Sequence, residues 1–194
     1  MPLSALILAA GQSKRMGRDK AWLEIEGEPL IARALRTVRQ LDPCEIFISG
    51  RPDTDYSSLG VPVLLDLEPG LGPIAGIEQG LHAATSPLVL ALAVDLPCMT
   101  ASFLRKLLAR CSRLIGAVPS LNHRLEPLAA IYPKRCHAIA RDCLLNSRLS
   151  AREFSTACLR ARALKRFKVA PADEHCFANW NSPPDLTSFL PAIV

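Results

Sequence analysis

Two kinds of segment alternate along the chain. Short apolar runs dominated by Leu, Ile, Val and Ala recur at 4–9, 45–49, 62–65, 88–93, 114–118 and 127–132, with a weaker one at 164–169. They lack the every-second-residue polar alternation of a half-exposed strand, so they read as strands covered on both faces. Between them lie stretches whose apolar residues share one helical face, at 29–40, 73–84, 101–112, 133–145, 151–161 and 183–189. Several carry start signals. Pro29, Pro73 and Pro183 suit a first helical turn, Thr100 and Ser182 suit N-caps, and Ser150-Ala-Arg-Glu153 forms a capping box. Trp22-Leu-Glu-Ile-Glu-Gly27 reads as a short strand ending in a turn.

Strand–helix alternation with short connections predicts a Rossmann-like, three-layer α/β/α fold around a mostly parallel sheet. With no repeat, low-complexity tract or linker, the 194 residues read as one domain, 1–194. Ligands of such sheets bind beyond the carboxyl ends of the strands. Gly11, Asp66 and Asp95 follow the first, third and fourth of the main apolar runs, so one cleft is expected to gather them.

Composition narrows the class. At 49% hydrophobic residues the chain can bury a sizeable core. Its longest apolar run, Leu88 to Val94, falls far short of the ~18 residues of a membrane span. The N-terminus is apolar too early and basic too late for a signal peptide, so a cytoplasmic protein without a membrane partner is expected. Seven scattered cysteines with no C-x-x-C pair argue against a disulfide framework or a zinc site, and read as buried free thiols. The four histidines show no metal-ligand spacing. Net charge is +5, but residues 134–168 hold ten Lys or Arg against Asp142 and Glu153. A solvated helical face is the simplest account and an anionic small-molecule pocket the next. Nucleic acid is not expected, because no recognition motif accompanies the charge.

The most chemically suggestive stretch is Leu6-Ile-Leu-Ala-Ala-Gly-Gln-Ser-Lys-Arg-Met-Gly-Arg-Asp-Lys20. A buried strand breaks at Gly11 into a small basic loop with a second glycine at Gly17. Flexible backbone N–H groups and several cations beyond a strand end suit a polyphosphate. The spacing matches neither G-x-x-x-x-G-K-[ST] nor G-x-G-x-x-G. Asp95 closes another buried strand and is followed by Leu-Pro. Spacing leaves two roles open for it: ligand to a hard cation, or turn aspartate before the helix that starts near Thr100. No nucleophile triad is recognisable.

Five pieces of sequence resemble, in order, the nucleotidyltransferases that activate sugars and cofactors, and most closely the molybdenum cofactor guanylyltransferases. They are Leu8-Ala-Ala-Gly with the loop that ends at Lys20, Gly72-Pro-Ile-Ala-Gly76, Val94-Asp-Leu-Pro97, Glu126-Pro-Leu-Ala-Ala-Ile-Tyr132 and Phe177-Ala-Asn-Trp-Asn-Ser-Pro183. The resemblance implies Mg²⁺-dependent transfer of GMP from GTP to the phosphate of molybdenum-molybdopterin, giving molybdopterin guanine dinucleotide and pyrophosphate. It makes Arg15 and Lys20 the phosphate cations and Asp95 the magnesium ligand. Leu8, Ala9, Ala10 and Gly11 would lie against the nucleotide, Asp66 would contact its nucleoside portion, and Ser49 stands where the family often has Asn. Asn179 and Asn181 would bond phosphates or complete the metal site. Arg124 and Glu126 would border the second substrate, unless Glu126 pairs with a neighbouring arginine. Transient contact with apo-molybdoenzymes or their chaperones is also implied.

Ala10 departs from the pattern, because the guanylyl enzymes usually read Leu-Ala-Gly-Gly and Ala-Ala-Gly is common in the related cytidylyltransferases. Two other expectations therefore stand beside GTP. One is the same chemistry with CTP or on a sugar phosphate. The other is a non-catalytic chaperone that binds nucleotide and cofactor.

Overall fold

The computed structural model describes residues 1–10, 19–66 and 70–178. Among the described residues there are ten strands: β1 (Leu3–Leu8), β2 (Glu24–Ile25), β3 (Glu28–Pro29), β4 (Glu45–Gly50), β5 (Val63–Leu65), β6 (Leu88–Ala93), β7 (Gly116–Leu121), β8 (Arg124–Leu125), β9 (Ala129–Pro133) and β10 (Leu164–Lys168). The α-helices are α1 (Leu30–Arg39), α2 (Pro73–Ala83), α3 (Ala101–Leu108), α4 (His137–Leu145) and α5 (Ala151–Arg160). The main sheet runs β10-β7-β9-β6-β1-β4-β5, with β8 on β7, and β2 and β3 form a separate hairpin.

The sheet is mostly parallel. β1 pairs in parallel with β4 and β6, β4 with β5, and β10 with β7. The exceptions are the short β8, antiparallel to β7, and β9, which lies antiparallel between β6 and β7. The apolar run of β9 does not reveal that direction, because a strand buried on both faces looks the same either way.

Alternation along each strand sorts side chains to two cores. Ala5, Ile7, Leu88, Leu90, Leu92, Ala129 and Ile131 pack with α1 and α3. Leu6, Leu8, Val89, Ala91, Ala93, Ala130 and Tyr132 pack with α2, α4 and α5. Three layers follow from strands that are apolar on both sides. On the second face α2 sits very close. A methyl added at Gly80 would meet Leu6 Cδ2 at 2.6 Å, and one at Gly76 would collide with Ser49 Oγ.

The expected helix starts are realised by side-chain caps. Thr100 Oγ1 accepts from the Phe103 N–H and Ser150 Oγ from the Glu153 N–H. Pro29 stands one residue before its helix, as N-cap. The expected helix at 133–145 starts only at His137. Pro133 is still paired with Leu88 in the sheet, and 134–136 form a 3₁₀ turn. The expected strand and turn at 22–27 is half of a hairpin, turned through positive φ at Glu26 and Gly27. A 3₁₀ stretch at Pro171–Phe177 went unforeseen. It buries Cys176 and sets Phe177 edge-on to Phe103 at 5.1 Å. The expected helix at 183–189, with Ser182 and Pro183, lies outside the described residues.

All seven cysteines are free. Cys136, Cys143, Cys158 and Cys176 are buried as expected, Cys98 and Cys111 are half-buried, and Cys44 is exposed, against expectation. Cys44 sits in the turn before β4, where it has little to pack against. Much of the basic segment is tied to the protein's own acceptors. Arg148 pairs with Asp142, Arg135 donates to the carbonyls of Leu114 and Arg162, and Arg152 to that of Leu125. Among the described residues no helix is long and apolar enough to cross a membrane.

At the amino ends of the strands, Glu45 fastens three segments. Its Oε1 accepts from the Ser4 hydroxyl at 2.5 Å, the Thr85 N–H at 2.5 Å and hydroxyl at 2.9 Å, and the Ser86 N–H at 3.4 Å. Burial alone would raise its pKa. The hydrogen bonds outweigh burial and hold it below the ordinary 4.5. The unfolded chain therefore binds the proton more readily, and this stabilisation is present above 4.5 and lost as pH falls through the lowered folded value. Glu45→Gln is expected to cost about 1 kcal/mol near neutral pH, by weakening charge-assisted bonds. The difference between variant and parent should close in acid. Urea denaturation at both conditions checks it, and an equal cost in acid would contradict the assignment.

Candidate active site

The carboxyl ends of β1, β4, β5 and β6 open onto one cleft of about 580 Å³. Its lining includes Leu8, Ala10, Lys20, Ser49, Asp66 and Asp95, so six residues singled out in the sequence come together. Ala9 does not line it. Its side chain is buried and its N–H donates to the Ser49 carbonyl at 2.8 Å, binding β1 to β4 beneath the cleft. Gly11, Lys14, Arg15, Arg18, Asn179 and Asn181 lie outside the described residues.

Each wall has a local cause. Sheet pairing of β6 with β1 runs one step past the strands, with the Val94 N–H on the Leu8 carbonyl at 3.3 Å. Asp95 is the next residue, and the buried Leu96-Pro97 pair that follows turns the chain away. Asp66 is set in the same way, its N–H on the Gly50 carbonyl at 2.8 Å. Lys20 begins a 3₁₀ turn, Lys20–Trp22, capped by Asp19, whose Oδ1 accepts from the Ala21 N–H at 3.0 Å. From this turn Lys20 Nζ reaches Asp95 Oδ2 at 3.3 Å, with 15% and 31% of the two side chains exposed. A cation and a carboxylate 75 positions apart in sequence thus face the same half-open space.

Further residues complete the lining. Gly70, Gly72 and Pro73 bring the start of α2 to the cleft. Gly72 has φ 69°, a conformation suited to glycine, and no side chain caps the helix; Pro73 carries no N–H, and the Ala75 N–H bonds the Gly72 carbonyl at 3.2 Å. Arg51, Pro52 and Asp53 were not foreseen. Arg51 grips Asp53 through Nε at 2.9 Å and a terminal nitrogen at 2.5 Å, which raises the Arg51 pKa and lowers that of Asp53. The signal for them was available: they directly follow β4, where the strand-end rule already pointed.

Arg124 and Glu126 lie outside the lining. Glu126 takes the paired option, with an Arg152 nitrogen at 4.0 Å. Burial pushes its carboxyl above the usual range, the Asp95 charge adds to the rise, and Arg152 and Arg124 oppose it. The closing tyrosine of the Glu126–Tyr132 motif is a fastening. Buried Tyr132 donates to the Pro127 carbonyl at 2.8 Å and accepts from Ser155 at 2.8 Å, holding the 126–128 turn against α5. The histidines take structural places: His137 bonds Glu78 at 2.7 Å and its ring lies 5.3 Å from that of His82.

Among the described residues no group of three or more His, Cys, Asp or Glu could hold a metal ion by itself. Among the described residues, the carboxylates in the lining are Asp53, which Arg51 grips, Asp66 and Asp95. That donor set fits a cation that arrives with phosphate and water ligands of its own, as Mg²⁺ does.

Comparison with known proteins gives the family. The family model described as MobA-like NTP transferase domain matches residues 5–164. A molybdenum cofactor guanylyltransferase of Rhodobacter capsulatus is 40% identical over 192 residues, covering 96% of this chain and 94% of that protein. One from Pseudomonas fluorescens is 34% identical over 187 residues, covering 94% and 91%. In fold, the chain is similar to molybdopterin-guanine dinucleotide biosynthesis protein A from Archaeoglobus fulgidus, with a TM-score of 0.72 at 22% identity over 94% of each chain. A nucleotidyl transferase from Methanothermobacter is similar too, with a TM-score of 0.76 at 17% identity over 95% and 94% of the chains. On the family match over most of its length and these close relatives, the chain belongs to the MobA-like NTP transferase domain family and is a nucleotidyltransferase.

Proposed function

We propose that the cleft transfers GMP from GTP to the phosphate of molybdenum-molybdopterin. A phosphate oxygen of the acceptor attacks the α-phosphorus, a new P–O–P bond forms, and the bond to the β-phosphate breaks to release pyrophosphate. The observation that carries this reading is the convergence of Lys20 and Asp95, 3.3 Å apart, with Ser49 and Asp66 on the walls of one cleft. An ionised acceptor phosphate is already a nucleophile, so the chain has to supply position and charge and no general base. Lys20 meets the negative charge that builds on the leaving oxygens. Ser49 and Asp66 hold the nucleoside, and the positive end of the α2 dipole faces the phosphates. Asp95 would hold Mg²⁺, which when bound neutralises charge on the phosphate oxygens.

The test is pyrophosphate release from Mg·GTP with molybdenum-molybdopterin as acceptor, run beside CTP. Release with GTP in excess of CTP is expected. Binding of nucleotide with no release would favour the chaperone reading instead.

Ala10 supports CTP as the second reading, since its methyl lines the cleft. Ala10→Gly is expected to raise the GTP:CTP ratio of kcat/KM, because a purine tolerates crowding worse than a pyrimidine. One methyl in a pocket is typically worth about 1–3 kcal/mol of discrimination, enough to blur a preference. A shift of the ratio towards CTP would overturn the steric argument.

A further inference from the structure

The two sides of the cleft are joined by a seam. On one side stands the 3₁₀ turn that carries Lys20. On the other stands the segment after β4, with Arg51 and Asp53 in the lining. Asp19 divides its carboxylate between them. Oδ1 caps the Lys20 turn through the Ala21 N–H at 3.0 Å, and Oδ2 accepts from the Thr54 hydroxyl at 2.8 Å. Three residues beyond Asp19 and two beyond Thr54, Trp22 and Tyr56 stack with ring centroids 6.4 Å apart. Buried Tyr56 in turn fixes its own segment. Its hydroxyl accepts from the Arg51 N–H at 3.3 Å, and its ring fills the space that a side chain at residue 50 would need, 2.5 Å from a Cβ built on Gly50. An unbroken path of contacts thus runs from Ser49-Gly50 at the end of β4, through Tyr56 and Thr54, to Asp19 and the turn holding Lys20.

We propose that Asp19 and Thr54 are positioning residues: the Thr54–Asp19 hydrogen bond sets the Lys20 ammonium against the nucleotide's phosphates. The proposal rests on the reading of Lys20 as the phosphate cation. The physical case is that a lysine has a long stem with several rotatable bonds, so its charge is only as well placed as the backbone that carries it. A three-residue 3₁₀ turn is a weak support, and its N-cap carboxylate is its main side-chain fastening. Thr54 removes the rotational freedom of that carboxylate. Neither residue needs to touch substrate.

The experiment compares Thr54→Val, which keeps the shape and loses the hydroxyl, with Thr54→Ser, which keeps the hydroxyl. Two quantities are read: affinity for pyrophosphate in the presence of Mg²⁺, by calorimetry, and kcat/KM for GTP in pyrophosphate release. Loss of one charge-assisted hydrogen bond predicts a fall of about tenfold in both for Thr54→Val, and recovery to within about twofold for Thr54→Ser. The thermal midpoint of Thr54→Val should stay near that of the parent, because Thr54 is only half-buried on a surface segment. Introduced into a Lys20→Ala background, Thr54→Val should change pyrophosphate affinity by less than about twofold, since the group it positions is gone. Full additivity in that background, or equal losses for the Val and Ser variants, would overturn the proposal. If the parent binds pyrophosphate with this pattern and yet releases none from GTP, the guanylyl reading falls and the positioning role stands.

Discussion

Asp95→Asn is expected to lower kcat/KM for nucleotidyl transfer by about 10²–10³-fold while the fold survives, the scale seen when one electrostatic contact to a developing charge is removed. Asparagine keeps the shape of the side chain and removes its charge, so a hard cation loses its protein ligand and Lys20 loses a partner at 3.3 Å. Stability should hardly change. Both side chains are partly exposed, and an ion pair in such a setting is worth only about 0–1 kcal/mol. The measurement is steady-state pyrophosphate release over a range of Mg²⁺ concentrations, with a thermal melt as control. A variant within a few-fold of the parent would remove Asp95 from the chemistry.

Lys20→Ala should cost a similar factor, again about 10²-fold or more, because an ammonium aimed at the departing pyrophosphate strengthens as charge builds there. The two variants should differ in one respect. Excess Mg²⁺ should recover part of the Asp95→Asn loss by mass action and none of the Lys20→Ala loss. If Mg²⁺ rescues both to the same degree, the division of labour between carboxylate and ammonium is wrong.

The elements of this fold were legible because the central strands are apolar on both faces and all the main helices but α4 begin on a readable signal. Thr100 and Ser150 bond the N–H groups that a cap at those positions should bond. What stayed hidden depends on pairing across the sheet. Nothing in the run 127–132 distinguishes a strand that returns antiparallel between β6 and β7 from one that continues the parallel order. The delayed start of α4 has the same origin, since Pro133 is retained by its partner Leu88. In the cleft, the strand-end rule found Asp66 and Asp95 because each stands within a residue or two of its run. Lys20 was legible only through its motif. Its approach to Asp95 depends on a capped turn, and on a hydrogen bond to Thr54, that no local pattern announces. Arg51 and Asp53 were missed because a charged pair after a strand also reads as an ordinary exposed turn.

The glycines of α2 have a mechanical consequence. At Gly76 and Gly80 no side chain separates the helix from Ser49, Leu8 and Leu6, so α2 and the ends of β1 and β4 meet without a deformable layer. Close-packed groups with no slack move together or not at all. That side of the cleft should behave as a stiff anvil, its amides among the slowest in the chain to exchange with deuterium. Adjustment to an incoming nucleotide then falls to the Lys20 turn and the segment after β4, two short surface segments that the Asp19–Thr54 hydrogen bond and the Trp22–Tyr56 ring stack hold to each other.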